Sequence, residues 1–262
     1  MEIIARISRG SRMDQVYIPK NRSGFQPGSY VVLSPAARVK RRESLYMHGM
    51  QHIEPIKVEI VHKVVEIVRR YDESENIIIT GSFVDPGFDF RDIDIIIISS
   101  NAIPVNVIGE KIAQEIGIRA HIIAMDNAAM VNSLAVDPVY QIMLSKCIAE
   151  KRFIYRVQRR IDYRLLDLHL LKSKTLIDNF EMLSGREKYY LTRNIISIAL
   201  YLRHEKIHKE MVEKEITKVF GIKNSGEIRE NMVQKAAFVK RFRNLYKSTF
   251  AQIMGQVTHE QE

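Results

Sequence analysis

Apolar and polar positions alternate along this chain in three different ways. Residues 3–7, 15–18 and 30–33 are short apolar stretches punctuated by Gly10, Pro19, Gly24, Pro27 and Gly28, a pattern that predicts brief strands and turns. Residues 36–52 are basic and irregular and read as a linker. Beyond them, Val58, Val61, Val64, Val65 and Val68 recur at helical spacing and predict a helix over 56–71. Ile77, Ile78 and Ile79 mark a buried strand over 76–80, and a second strand starts at Asp92 and runs to Ile98. A loop over 99–105, an amphipathic helix over 107–116 that ends at Gly117, and a strand over 118–125 come next. Asp137 and Pro138 are the cap and first turn of another helix. From Arg159 the helical period dominates, over 159–182, 186–204, 208–220 and 226–254, with Gly185 and Gly221 as breaks. Leu165, Leu166, Leu168, Leu170 and Leu171, with Ile195, Ile196, Ile198, Leu200 and Leu202, supply the core of this last part. There is no internal repeat and no low-complexity tract.

Chemistry concentrates between the two isoleucine-rich strands. Side chains alternate faces along a strand, so Asp92 and Asp94 project from one side while Ile93 and Ile95 enter the core. Two neighbouring carboxylates repel each other unless a cation lies between them. Such hard oxygen ligands suit Mg²⁺ (or Mn²⁺), which shares its other positions with water and substrate phosphates.

Gly81-Ser82, about ten residues, then acidic-hydrophobic-acidic at the head of a strand resembles the signature of the nucleotidyltransferase superfamily related to DNA polymerase beta. The resemblance covers roughly residues 55–157. It implies an α/β (α+β) core with a mixed sheet, closed by a helix and a short strand near 151–155, with the C-terminal helices as an appended bundle. It also implies transfer of a nucleoside monophosphate from a nucleoside triphosphate, with Asp92 and Asp94 as metal ligands and Gly81 and Ser82 holding phosphates. Glycine lets the backbone approach the phosphates, and the serine hydroxyl donates without adding charge. Arg91, beside the pair, is either a phosphate contact or a solvated arginine.

The family usually places a third carboxylate on a neighbouring strand. In this sequence the matching position, by location and parity, is His121, with Ile122 and Ala124 turned to the core, while Asp126 lies at the far end on the opposite face. A neutral histidine serves as a general base near pH 7, or else the protein binds nucleotide without efficient turnover.

The remaining features bear on partners. A formal charge of +9 and a pI near 9.5 favour polyanions such as nucleic acid or nucleoside triphosphates. Basic residues cluster at 38–42, at 151–164 and at 235–247. The segment from Arg6 to Val31, with Ile18-Pro19-Lys20 and Gln26-Pro27-Gly28, resembles the AbrB-type swapped-hairpin family, although Ser29 replaces the usual acidic residue and Arg12-Met13-Asp14 lengthens the first turn. That resemblance implies DNA binding and, because a module of ~35 residues is too small to fold alone, either a homodimer or docking of this segment on the rest of the chain. Arg203 and His208 have the Arg-x4-His spacing of HEPN-type ribonucleases. The single cysteine, Cys147, excludes a disulfide framework and a cysteine-based zinc site; neither it nor His169 is assigned any chemistry.

No apolar run approaches the ~18 residues of a membrane span, and the start lacks a secretory layout, so a cytoplasmic protein is expected. The expected organisation is a β-rich AbrB-like module with its linker (1–45), a nucleotidyltransferase core (54–157) and a helical domain (158–255). Two functions follow: an Mg²⁺-dependent nucleotidyltransferase with an unknown acceptor, or a catalytically weak, nucleotide-sensing regulator that binds DNA or RNA.

Overall fold

The computed structural model describes residues 7–18, 26–28, 31 and 44–259. The chain divides into two compact units, residues 1–43 and 44–262. In the first, β1 (Ile7–Ser8) and β2 (Gln15–Val16) form an antiparallel hairpin with Ile7 opposite Val16. The third strand expected over 30–33 lies outside the described residues apart from Val31.

The second unit is mixed α/β. It opens with β3 (Tyr46–His48), inside the stretch expected to be a linker. Three exposed residues carry no period that a sequence reading can detect; the strand forms because it pairs antiparallel with β7 (Cys147–Ala149). Between them come α1 (Pro55–Arg69), β4 (Asn76–Thr80), β5 (Asp92–Ile98), α2 (Val105–Ile116), β6 (Arg119–Met125), α3 (Asn127–Val136) and α4 (Pro138–Ser145). The sheet order is β3-β7-β4-β5-β6, with β5 and β6 parallel and the other pairs antiparallel.

Isoleucine parity sorts this sheet into two faces. Ile77, Ile79, Ile93, Ile95 and Ile97 pack with Val61, Val64 and Val68 of α1 and Ile108 and Ile112 of α2. Ile78, Ile96 and Ile98 face Met130 and Leu134 of α3 and Leu144 of α4. Each buried isoleucine contributes about 1.5–3 kcal/mol. A slip of one residue in β5 would trade several of these for buried aspartates, so the register is fixed. Ile122 packs on the first face, whereas Ala124, expected to turn to the core, is exposed because β6 is an edge strand.

Asp126 does not stand on a strand face; its carboxylate caps α3 by accepting from the Ala129 amide at 2.7 Å. β7 closes the sheet in place of the strand expected at 151–155, and residues 151–162 run without helix or strand pairing until Asp162 caps α5.

The bundle consists of α5 (Tyr163–Asp178), α6 (Gly185–Leu202), α7 (Lys209–Phe220), α8 (Gly226–Arg229) and α9 (Lys235–His259). α6 is its axis: Ile195, Ile196, Ile198, Leu200 and Leu202 are all buried. In α5, Leu166 and Leu170 are buried, but Leu168 and Leu171 are 48% and 60% exposed. Five leucines in seven positions exceed the width of one helical face. The helix expected over 226–254 splits at Asn231, whose φ of 58° is left-handed. Among the described residues no helix is long and apolar enough to cross a membrane.

Gly185 marks the break between α5 and α6, as expected. It opens α6 behind a capping box made by Ser184 and Glu187, and a Cβ there would lie 2.0 Å from the Arg229 carbonyl oxygen. Gly185→Ala therefore forces α8 away from α6. It should lower unfolding free energy by roughly 1–3 kcal/mol, read from the urea midpoint with the slope unchanged.

Candidate functional site

The β4–β5 connection builds the site. β4 ends at Thr80, whose hydroxyl donates to the Met143 carbonyl, and the chain then makes a 3₁₀ turn over Gly81–Val84. Gly81 has φ +80°, and a Cβ there would lie 1.9 Å from Asp94 Oδ2. Glycine is required twice over, by the backbone angle and by the approach of the carboxylate. Phe83 and Val84 are buried and fix the turn against the sheet.

Asp92 and Asp94 occupy one face of β5, with Ile93 and Ile95 fully buried on the other. Burial pushes the Asp94 carboxyl above the usual range; His121 opposes this and Asp92 adds to it. His121 stands opposite Asp94 in the parallel β5–β6 ladder, its side chain 66% exposed, with Nδ1 3.2 Å from Asp94 Oδ1. An ionised carboxylate only accepts, so Nδ1 carries the hydrogen and Nε2 is the basic nitrogen of the neutral ring.

Gly81, Ser82, Asp92, Asp94 and His121 thus line one cleft, of about 370 Å³. Arg91 does not line it; it is exposed and borders a separate depression with Phe90, Asp92 and Arg119. Among the described residues no group of three or more His, Cys, Asp or Glu side chains is arranged to hold a metal ion alone.

The facing wall is cationic, and most of it comes from the bundle. Arg186 and Arg193 of α6, Lys209 beginning α7 and Arg229 ending α8 line the cleft, with Lys146 from the turn after α4. Arg193 lies over the Tyr190 ring at 4.9 Å, and Arg229 over the Tyr189 ring at 3.9 Å. Arg186 pairs with Asp89. Burial pushes the Lys209 ammonium below its ordinary range, against the pull of Asp85.

Asp85 organises this wall. Its carboxylate accepts from Lys209 and, at 3.1 Å, from Lys146. Burial raises the Asp85 carboxyl, but the two lysines outweigh it and hold the group below the usual range. Its carbonyl accepts from the buried Lys57 of α1 at 2.5 Å. Lys57 Nζ also sits 5.4–5.8 Å from the ring centres of Phe83, Phe88 and Phe90 and 3.0 Å from Glu54. Glu54 in turn accepts from the Gly87 amide, and that bond, with Lys57, brings its pKa down to about 2. The loop after the Gly-Ser turn is thus held from both sides.

Sequence reasoning missed the cationic wall entirely. Arg186, Arg193, Lys209 and Arg229 sit at helical positions where solvated bases are ordinary, and only packing gathers them. Other candidates lie elsewhere. Arg203 ends α6 and pairs with Glu205 and Glu215, whereas His208 caps α7, so the Arg-x4-His spacing does not share a helix. Cys147 is buried, which pushes its thiol up to about 12. His169 lies 3.2 Å from Asp137, the cap of α4. Comparison with protein-family models, with curated proteins and with solved structures found no match.

Because folding raises the Asp94 pKa, ionisation of Asp94 opposes folding. Its unfavourable contribution grows as pH rises from the unfolded-state value of 3.8 through the folded one. Asp94→Asn should therefore stabilise the protein at pH 7, raising the thermal midpoint by about 2–4 °C, with the gain vanishing below pH 3.8.

Proposed function

We propose that this chain transfers a nucleoside monophosphate from a nucleoside triphosphate to an acceptor hydroxyl. The observation that carries this reading is the pairing of Asp92 and Asp94, beside the Gly81–Ser82 turn, with a cationic wall across the same cleft. The donor chemistry fits a hard divalent ion: both side chains offer oxygens, and burial raises the pKa of Asp94 against the opposing pull of His121 and Arg193. Among the described residues no third carboxylate joins Asp92 and Asp94 in a metal-holding group, Asp85 and Asp89 being paired with lysines and Arg186, so Mg²⁺ (or Mn²⁺) held here would draw on phosphate oxygens of the substrate.

Each group then has a task. Asp92 and Asp94 would hold the divalent ion, which would supply charge neutralisation at the α-phosphate and favour the deprotonated acceptor oxygen. Ser82 donates to phosphate oxygens, and Gly81 leaves the space in which they approach. Arg193, Arg229 and the lysines offset the negative charge of the triphosphate tail. The acceptor oxygen bonds to the α-phosphorus as the bond to the bridging oxygen breaks and pyrophosphate leaves. His121 Nε2 takes the acceptor's proton. The +9 charge leaves nucleic acid as one acceptor among several.

One observation favours a second reading, a nucleotide-sensing regulator with weak turnover. His121 Nδ1 is engaged with Asp94, where the family would place a third acid. Equilibrium dialysis with radiolabelled nucleoside triphosphate decides whether the site is used at all. Mg²⁺-dependent binding should fall at least tenfold in Asp92→Ala with Asp94→Ala, and unchanged binding sinks both readings. Label transfer from an α-labelled triphosphate to a component of cell extract, lost in the same variant, selects the enzyme. His121→Asp should tighten Mg²⁺, measured by calorimetry in the presence of nucleotide, by about tenfold as a third carboxylate joins the set.

A further inference from the structure

We infer that residues 151–160 form a binding strip for single-stranded nucleic acid, separate from the nucleotide cleft. In the eleven residues 151–161 there are five basic side chains and no acidic one. The segment runs without helix or strand pairing, and its side chains alternate. Phe153, Tyr155 and Val157 pack against the sheet face that holds Ile78 and Ile96. Arg152, Ile154, Arg156, Gln158 and Arg160 are exposed, Ile154 by 73%.

Alternation in a near-extended backbone sets Arg152 and Arg156 on one edge, about 13 Å apart at ~3.3 Å per residue. Among the described residues neither makes an ion pair, and Arg160 donates to Asn132. A row of unneutralised arginines with no acid among them matches a run of phosphates.

Beside this row lies a ladder of rings. His48 on β3 and Phe153 have centroids 6.0 Å apart, and Phe153 and Tyr155 lie 5.3 Å apart, tilted by 40° and 38°. Phe153 and Tyr155 are half-buried and packed against the core cluster that holds Ile78 and Ile96; Tyr155 is further fixed by its hydroxyl bond to Asn127. His48 is exposed. Basic side chains along a backbone track, with rigid rings at their flank, are how proteins hold unpaired bases without reading sequence. A duplex would satisfy the arginines and leave the rings unused. A membrane surface or an acidic peptide would likewise use only the charges.

The test is fluorescence anisotropy of the full chain with a labelled oligouridine, at several salt concentrations. Arg152→Ala with Arg156→Ala, both exposed, should weaken binding at least tenfold and reduce the salt slope by about 1.4, at ~0.7 per phosphate contact. His48→Ala should weaken binding with the slope unchanged. Ultraviolet crosslinking should place adducts on the tryptic peptide 153–156. Asp92→Asn with Asp94→Asn should leave all of this unaltered, which separates this strip from the nucleotidyl-transfer reading. Equal affinity of the double arginine variant, adducts confined to other peptides, duplex bound as tightly as the single strand, or anionic vesicles captured through the same arginines would each overturn the proposal.

Discussion

A half-buried carboxylate, held between two lysines, joins the sheet to the helices. Asp85 meets Lys146 at the end of α4 and Lys209 at the start of α7, while its backbone oxygen receives Lys57 from the opposite side of the loop. Oppositely charged groups at about 4 Å attract by roughly 4 kcal/mol at an effective dielectric near 20, before desolvation is subtracted. The net gain is smaller than that. Removing one partner, by contrast, strands the others, and such losses reach roughly 3–5 kcal/mol. Lys209 is registered on the sheet side of the cleft through this junction, while Arg186 is tied separately through Asp89 and α6 through the Tyr201 hydroxyl, which donates to the Ala135 carbonyl.

The cleft is accordingly a charged gap, with Asp92 and Asp94 on the sheet side and, on the bundle side, cations of which Lys146, Lys209 and Arg186 are paired with Asp85 and Asp89. On the sheet side, Asp94 is ionised at some cost, because it is partly buried and has Asp92 two residues away on the same face. On the bundle side, Lys209 is also disfavoured in its charged form by burial. A ligand that brings positive charge to the first and negative charge to the second relieves both. A divalent ion carried on a polyphosphate has that polarity, and neither half alone does. Tyr190 holds Arg193 by its ring face without neutralising it, whereas Arg229, over the Tyr189 ring, is also paired with Glu213 at 3.4 Å.

How much of this was readable depended on whether a local period existed. The isoleucine alternation around Asp92 and Asp94 is such a period, and the faces it predicts are those occupied. Gly81 was readable because a glycine ahead of an acidic strand has few other uses. α3 was not, since Asn127–Val136 is apolar nearly all round and its only marker is the cap at Asp126. β3 was not, because it is three exposed residues defined by a partner a hundred positions away. The leucines of α5 were over-read: adjacency was taken for burial, and Leu168 and Leu171 face water. Gly185 is legible as the boundary of α6, but the approach of the α8 backbone that requires a glycine there is not. Arg186, Arg193, Lys209 and Arg229 carry no local signal at all, because a base on a helix looks the same whether it faces solvent or a cleft.

The burial of Cys147 has a practical side. The chain has no other cysteine, and this one is buried in β7 with its thiol pushed up to about 12, so almost none of it is thiolate at neutral pH. The native protein is in effect thiol-silent toward maleimides and similar reagents. A cysteine introduced on the surface becomes the sole attachment point for a dye or spin label, with no background substitution needed. One such label on each of the two compact units turns their separation into a measurable distance.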